Sequence, residues 1–301
     1  MNRREFFVLA GGAAAWPLAV RAQHAAKIWR IGYMTHADVP CDALFEGLRQ
    51  LGYVEGKNII IERRYAEGRA ERFKEFAAEI VRLKADLIIT TTTPAALAAK
   101  NATTTIPIII PIAIDPVATG LIASLAHPGG NVTGGAILTA EMATKQLGLF
   151  KELTSGLSRL AVLWNSANPA NASMWRETQA AARTLGVAVQ SHEVRGTKDL
   201  ERAFARIAED HPDAVFVLED NLTYHYRQEI LDFINQKRLP SMLAGKDSVK
   251  AGGLLSYDPD YCELMRRAAS QVDKILGPLP DFTGKGRFAS RTATRHRRES
   301  G

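Results

Sequence analysis

The stretch 85–101, ADLIITTTTPAALAAKN, decides the fold of this chain. Residues 86–90 form a short apolar run rich in β-branched side chains, which passes through threonines and Pro94 into an Ala/Leu-rich segment. This pattern predicts a buried strand that leads into a helix. Pro94 suits the first helical position, so Thr93 is expected to cap the free amides there. Ligands of open α/β sheets bind at this edge, and a helix amino terminus favours a carboxylate or a phosphate. The alternative is that 90–94 only makes a well-capped turn.

Strand and helix alternate along the rest of the chain, with short joints between them. A first set of units runs to a glycine-rich break at 128–135, and a second set follows. The predicted strands are 29–34, 58–64, 86–90, 106–114, 159–164, 188–193, 213–218 and 241–244, with an extended crossing at 252–257, and the predicted helices outside the opening stretch are 42–51, 69–83, 117–126, 140–153, 172–185, 199–209, 226–237 and 261–276. Repeated βα units of this length predict parallel sheets covered by helices on both faces. The predicted fold class is therefore α/β, with two similar lobes and a cleft between them.

The first 23 residues have the pattern of an export signal. Arg3 and Arg4 make a twin-arginine start, 8–19 is a small apolar core, and Val20-Arg21-Ala22 is a small-x-small cleavage site. A core helix is the alternative, but an apolar run of about a dozen residues is too short to span a membrane. We expect cleavage after Ala22 and a soluble protein that is exported in the folded state.

The formal net charge of +6 is concentrated at the two ends of the chain. Arginines in 1–23 and arginines with a lysine in 282–301 supply the excess, and the body between them is close to neutral. A neutral body has no electrostatic footprint for DNA or RNA, so no nucleic-acid partner is expected. With 46% hydrophobic and 23% charged residues, the composition is that of a soluble globular protein.

The cysteines Cys41 and Cys262 lie far apart in the sequence. In an exported protein they could form a disulfide, but both fall in segments predicted to be helical, and buried free thiols are the alternative. No Cys/His spacing indicates a metal site, and no cofactor is expected. The histidines expected to face solvent are His24, His192, His211 and His296.

Polar side chains follow the predicted strands of both lobes. They lie at 35–36, 90–93 and Asp115 in the first lobe, and at 165–168, 219–221 and 257–258 in the second. These groups suit an amino-acid-like ligand, because a helix terminus can take its carboxylate and a buried carboxylate can take its ammonium. Asp115 or Asp220 is the expected partner of the ammonium. Turn formation is the alternative role for Asp115, as turn or capping chemistry is for Asn165 and Asn168.

The motifs of common enzymes are absent from the sequence. It has no G-x-S-x-G elbow, no P-loop and no H-E-x-x-H, and the first βα turn at 32–35 lacks the glycines that a dinucleotide needs. His36, His127 and His225 fall near loops, but no spacing favours a Ser/His/Asp arrangement. An enzyme is therefore not expected.

Several long strings resemble one protein family. They include RREFFVLAGGAAAWPLAVRAQ at 3–23, GLRQLGYVEGKNI at 47–59, TPAALAAKNATTTIPI at 93–108, DPVATGLIASLAHPGGNVTG at 115–134, LSRLAVLWNSANP at 157–169 and AGGLLSYDPD at 251–260. Over residues 1 to about 280 the chain is similar to ABC-transporter substrate-binding proteins of the tryptophan/tyrosine-uptake group. This resemblance implies a type I periplasmic-binding-protein fold, with two Rossmann-like lobes and a hinge.

The resemblance also implies a function and a division of the chain. It implies a monomeric, non-enzymatic periplasmic protein that binds a small solute, favouring an amino acid, and delivers it to an ABC permease in the inner membrane. The lobes would be 27–135 and 136–254, followed by a return crossing and helix at 255–280. The ligand-facing positions of the family match Thr35, Thr92, Thr93, Asp115, Asn165, Asp220 and Tyr257. The alternatives are an exported ligand sensor that partners a membrane receptor and an enzyme on the same scaffold.

The last stretch departs from the family pattern. FTGKGRFASRTATRHRRESG at 282–301 has no apolar periodicity and is rich in Arg, Ser, Thr and Gly. We interpret it as a frameshifted or truncated carboxyl end and expect 281–301 to be a basic, disordered tail. A basic arm that binds an anionic surface is the alternative.

Overall fold

The computed structural model describes residues 27–36, 42–137 and 139–277. Two parallel β-sheets, each covered by helices on both faces, make up two lobes. The predicted α/β fold class is confirmed. The export signal, Cys41 and the basic tail lie outside the described residues. In the described part of the chain, no helix is both long and apolar enough to cross a membrane.

The N-terminal lobe is built on a five-stranded sheet in the order β2-β1-β3-β4-β5. Its strands are β1 (Trp29–Thr35), β2 (Ile59–Tyr65), β3 (Leu87–Thr90), β4 (Ile108–Ile114) and β5 (Val132–Ile137), and its helices are α1 (Ala43–Gln50), α2 (Arg72–Arg82) and α3 (Thr93–Ala102). All adjacent pairs are parallel. The central strand β3 is buried along its whole length, as the apolar run 86–90 predicts for a strand with helices on both faces.

The C-terminal lobe repeats this plan with the order β7-β6-β8-β9. Its strands are β6 (Arg159–Asn165), β7 (Ala188–Val194), β8 (Ala214–Val217) and β9 (Ser241–Met242), and its helices are α4 (Thr139–Leu153), α5 (Pro169–Thr184), α6 (Thr197–Asp210), α7 (Asn221–His225), α8 (Arg227–Lys237) and α9 (Lys246–Lys250). One face of the sheet packs against α4 and α5, and the other against α6 and α8.

The last described helix, α10 (Tyr261–Leu276), returns to the N-terminal lobe. It packs on α1 so closely that a Cβ added at Gly47 would lie 2.8 Å from the Cβ of Ala269. Its end is fixed by the hydroxyl of Tyr53, which donates to Asp273 Oδ1 at 3.0 Å and to the carbonyl of Gly277 at 2.8 Å. Helix α10 therefore completes the core of the lobe in which the chain begins.

The predicted helix at 117–126 and the predicted break at 128–135 are both wrong, and glycines explain both errors. Residues 117–126 form turns instead of a helix, since Gly120 has a φ of +74° and the amide of Thr119 bonds back to the carbonyl of Asp115. The glycine-rich break at 128–135 contains the start of strand β5. Gly134 and Gly135 are needed there because an added Cβ would lie 1.8 Å and 2.4 Å from the carbonyl oxygens of Ile110 and Pro111 in β4.

Two side-chain predictions also need correction, and the structure decides between the two alternatives for Cys262. Helix α3 begins one residue earlier than expected, so Thr92 and not Thr93 is the capping residue, and its hydroxyl accepts from the amide of Ala95 at 3.3 Å. His192 is buried beneath α6 instead of facing solvent. Cys262 is exposed on α10 and is held in a disulfide, so it is not a buried free thiol.

Candidate functional site

A cavity of about 200 Å³ lies between the lobes, at the carboxyl ends of their strands. The N-terminal lobe contributes the ends of β1, β3 and β4, the C-terminal lobe contributes the segments that follow β6, β8 and β9, and helix α10 adds Tyr261 and Met265. Open parallel sheets bind ligands at this edge. The cleft is therefore the candidate binding site.

Hydroxyl groups and the amino end of α3 form the wall on the N-terminal lobe. Thr92 and Thr93 lie at the start of α3, and Thr91 and Thr35 lie beside them in the same wall. The hydroxyl of Thr91 donates to that of Thr35 at 2.7 Å, which fixes both side chains. Free backbone amides at a helix start and nearby hydroxyls are donors for an anion. This wall suits a carboxylate.

His36 adds an uncharged imidazole to the same wall. It follows β1, is 5% exposed, and packs edge-to-face on Phe73 with ring centroids 4.7 Å apart. Burial, together with a smaller effect of charge repulsion from His225 of the opposite lobe, lowers the pKa of His36 to about 4. Its buried Nδ1 has no hydrogen-bond partner among the described residues. A neutral imidazole facing the cavity can exchange a hydrogen bond with a ligand.

Asp220 is the first carboxylate of the opposite wall, and its contacts within the lobe hold it rigidly. It caps α7 by accepting from the amide of Leu222 at 2.7 Å. The side-chain amides of Asn165 and Asn168 donate to its two oxygens at 2.8 and 2.7 Å. These three N–H donors hold the carboxyl group of Asp220 in one orientation at the cleft.

Glu219 is the second carboxyl group of this wall and has a very different environment. Burial, with smaller contributions from the nearby carboxylates of Asp258 and Asp220, raises the pKa of Glu219 to about 8. The phenol of Tyr261 donates to Glu219 Oε2 from helix α10. Around neutral pH this carboxyl group is therefore mostly protonated.

A smaller cavity of about 30 Å³ adjoins the first, and Ile114, Glu219, Ala244 and Tyr261 line both. Its other walls are mainly apolar, with Met142, Met174, Phe216, Met242 and Pro259 among them. Burial also raises the pKa of Asp258 in this cavity, although a hydrogen bond from the amide of Gly245 at 2.8 Å partly opposes the rise. The smaller cavity is thus lined by apolar side chains and by two carboxyl groups, those of Glu219 and Asp258.

Asp115 joins the lobes instead of pointing into the larger cavity. Its carboxylate accepts from the amide and hydroxyl of Thr139, at the start of α4, and from the hydroxyl of Ser173 on α5. Gln146 of α4 donates to the carbonyl of Tyr257 at 3.0 Å and so ties this connection to the return crossing. These contacts place Asp115 at the hinge between the lobes.

The structure brings together part of the predicted site. Thr35, Thr92, Thr93 and Asp220 line the larger cavity. Asn165 lies behind Asp220 and orients it, Tyr257 lines the smaller cavity, and Asp115 lies at the hinge. Sequence reasoning missed Tyr224, Tyr261 and Met265 as lining residues. The last two come from α10, whose return to the cleft no local pattern could show.

Among the described residues, no group of His, Cys, Asp or Glu side chains is arranged to hold a metal ion.

Comparisons with known proteins agree with this architecture. A family model described as "ABC transporter substrate binding protein" matches residues 37–281. A tyrosine-binding protein from Clostridioides difficile (strain R20291) is 29% identical over 233 residues, which are 77% of this chain and 66% of that protein. The chain thus spans slightly less than two thirds of that relative's length.

Two solved structures are similar over most of their length. A conserved domain protein from Vibrio cholerae is 27% identical with a TM-score of 0.78, over 83% of this chain and 85% of that one. An ABC domain in complex with L-Trp from Streptococcus pneumonia is 24% identical with a TM-score of 0.77, over 85% of this chain and 88% of that one. Both share the two-lobed fold described above.

Proposed function

This chain belongs to the ABC transporter substrate-binding protein family, and on that premise we propose that its cleft binds an amino-acid-like solute and delivers it to an inner-membrane permease. The family is one of binding proteins and not of enzymes, and its fold is the type I periplasmic-binding-protein fold that the resemblance implied. The two chemically opposite walls of the cleft carry the proposal.

The proposed ligand orientation follows from those walls. The threonines and the amino end of α3 receive the carboxylate, and the carboxyl groups after β8 receive the ammonium. The aromatic rings of Tyr224 and Tyr261 then lie beside the ligand side chain. The tyrosine-binding relative supports an aromatic amino acid as the first ligand to test.

Closure of the lobes is the proposed transport signal. The cavity is lined from both lobes, so a ligand that contacts both stabilises the closed state relative to the open one. The hinge contacts of Asp115 with Thr139 and Ser173 hold the lobes together beside the cavity. A permease would distinguish the closed, loaded protein from the open one.

The proposed location follows from the family and the leader. Substrate-binding proteins of this family are extracytoplasmic, and the twin-arginine pattern at 1–23 supports export to the periplasm. We place cleavage after Ala22 and expect the mature protein to act as a monomer. Mass spectrometry of the secreted protein and light scattering test these two points.

Thermal unfolding of the mature protein with a panel of amino acids, sugars and organic acids tests the proposed function. A ligand that binds the folded state at one hundred times its Kd stabilises the protein by about 2.7 kcal/mol. We expect a concentration-dependent rise in the midpoint with one or a few amino acids, and no consumption of the ligand. A rise with sugars alone, or turnover of the bound solute, would contradict the proposal.

A further inference from the structure

Glu219 occupies a central position in the cleft. It follows β8 and lies in the wall shared by the larger and the smaller cavity, so a ligand in either cavity lies beside this residue. Tyr261 shares this wall from helix α10 and donates its phenol hydrogen to Glu219 Oε2. The two side chains join the C-terminal lobe to the helix that belongs to the N-terminal lobe.

The charges around both cavities are unbalanced. Three carboxyl groups line them, from Glu219, Asp220 and Asp258. Among the described residues, no lysine or arginine lines either cavity. Like charges in a poorly solvated site cannot all ionise, so at least one carboxyl group holds a proton until a cation enters.

The hydrogen bonds identify which carboxyl group holds that proton. Both carboxyl oxygens of Asp220 are occupied as acceptors, by three N–H donors in all. Asp258 accepts from the amide of Gly245 at 2.8 Å. Among the described residues Glu219 accepts from one donor, the phenol of Tyr261, and it faces both neighbouring aspartates. The proton therefore resides on Glu219.

We propose that Glu219 receives the ammonium group of the ligand and gives up a proton to solvent when the ligand binds. This inference rests on the proposed function. The neutral carboxyl group of Glu219 loses its proton, and the resulting carboxylate pairs with the incoming ammonium. The summed charge of Glu219 and the ammonium is zero, so the net charge of the wall does not change. The ion pair replaces a protonated acid, so one proton appears in solution for each cation bound.

The groups that face Glu219 are consistent with this exchange. Tyr261 faces it from α10, Asp258 from the segment before α10, and Asp220 from its own loop. The N-terminal lobe presents the apolar Ile114 to both cavities, and the uncharged His36 to the larger one. Arg227 of α8 lines a small third cavity with Glu219, but its guanidinium donates to the carbonyl of Tyr224 at 2.9 Å and lies over the ring of that residue. The positive charge beside Glu219 in the two larger cavities is therefore left to the ligand. Burial and the two aspartates raise the pKa of Glu219 to about 8, which agrees with this assignment.

Ligand affinity should then depend on pH in one direction. Below a pH of about 8 the proton on Glu219 competes with the ammonium, so the affinity should rise roughly tenfold between pH 6 and pH 7 and level off above 8. The number of protons released per ligand should be about 0.9 at pH 7 and should fall to about 0.5 at pH 8, where the ammonium of the ligand is still charged.

Isothermal titration calorimetry of the full mature chain tests the inference. L-tyrosine is titrated at pH 6, pH 7 and pH 8 in pairs of buffers with different ionisation enthalpies, which gives the number of protons released. We expect proton release at pH 7 that Glu219→Gln abolishes, together with at least tenfold weaker binding at pH 8 and a smaller loss at pH 6. A merely structural role of Glu219 would weaken binding equally at both pH values.

Two further variants sharpen the result. Asp258→Asn removes a neighbouring charge that raises the pKa of Glu219, so proton release should move to lower pH and decrease at pH 7. Glu209→Gln, an exposed substitution on α6, should leave proton release unchanged.

Binding of L-tyrosine without proton release at pH 7 overturns this inference alone. Failure of L-tyrosine and every other amino acid to bind overturns both it and the proposed function.

Discussion

The two walls of the cleft are built by the same kind of element but carry opposite chemistry. In the N-terminal lobe, β3 ends in a run of threonines and Thr92 caps α3; in the C-terminal lobe, β8 ends in two acids and Asp220 caps α7. Both caps lie at the carboxyl end of a central parallel strand. Topology therefore fixes where the polar groups meet, and the residue type at each strand end decides the charge that each wall can accept. One wall suits an anion and the other a cation, which matches the two ends of a zwitterion.

Removing Asp220 should have the largest effect on this contrast. Asp220→Ala leaves the amide of Leu222 and the side-chain amides of Asn165 and Asn168 without their acceptor. Buried donors cost about 1–3 kcal/mol each when unpaired, so we expect a loss of about 4 kcal/mol in the free energy of unfolding. Urea unfolding at pH 7 measures it.

Asp220→Asn is the matched control for that prediction. The asparagine oxygen can still cap α7, so the loss should be less than half as large. Equal losses for Asp220→Ala and Asp220→Asn would show that the negative charge, and not the set of hydrogen bonds, stabilises the second wall.

The acidic wall should lose stability as the pH rises. Because the pKa of Glu219 is raised to about 8, the folded state holds a proton that the unfolded state releases above pH 4.5. Folding therefore becomes less favourable between pH 4.5 and 8, by about 3 kcal/mol after allowance for cavity water. Glu219→Gln should remove this cost. In urea unfolding the variant should be more stable than the wild-type protein at pH 8.5 but not at pH 4.5. A constant difference across the range would contradict the assignment.

The hydroxyl wall should show the opposite slope. The pKa of His36 is lowered to about 4 in the folded state. Between pH 6.5 and pH 4, His36 is therefore protonated in the unfolded state but stays neutral in the folded state. Stability should fall by about 2 kcal/mol as the pH drops from 6.5 to 4. His36→Gln should flatten this part of the profile. His192, whose pKa burial also lowers, is the comparison: His192→Gln should leave the contribution of His36 intact.

The helix cap of the first wall should give the smallest effect. Thr92→Ala removes the side-chain oxygen that accepts from the amide of Ala95, and should cost about 1 kcal/mol. Thr93→Ala should cost less stability, because Thr93 lies inside the helix and is not its cap. Thermal unfolding without ligand compares the two. A larger loss for Thr93→Ala would reverse the assignment of the cap.

The fold could be predicted because its signals are local. The apolar run 86–90, the amphipathic helices and the regular spacing of βα units determine two parallel sheets without any knowledge of distant contacts. The errors arose where a local signal has two meanings. Gly134 and Gly135 read as a break, yet they let β5 approach β4, a contact between strands that the sequence pattern cannot display.

The candidate site could be predicted in part for the same reason. Thr35, Thr92 and Asp220 lie directly after strands, so topology alone brings them to the cleft. Asp115 follows β4 and met the same criterion, but its φ of 41° and its contacts with Thr139 and Ser173 turn it to the hinge. The presence of Tyr261 in the cleft depends on the path that the chain takes from the C-terminal lobe back to helix α10. The unusual environment of Glu219 depends on burial beside two other acids, which only the assembled lobes define.

The most direct test of the two-wall account is calorimetric titration at pH 8 with L-tyrosine and two analogues that each lack one charged group. Tyramine keeps the ammonium, and 3-(4-hydroxyphenyl)propionate keeps the carboxylate. The account predicts one-to-one binding of the amino acid and at least tenfold weaker binding of each analogue, with Thr92→Ala affecting mainly ligands that carry a carboxylate and Glu219→Gln mainly those that carry an ammonium. Equal binding of L-tyrosine and either analogue would contradict it.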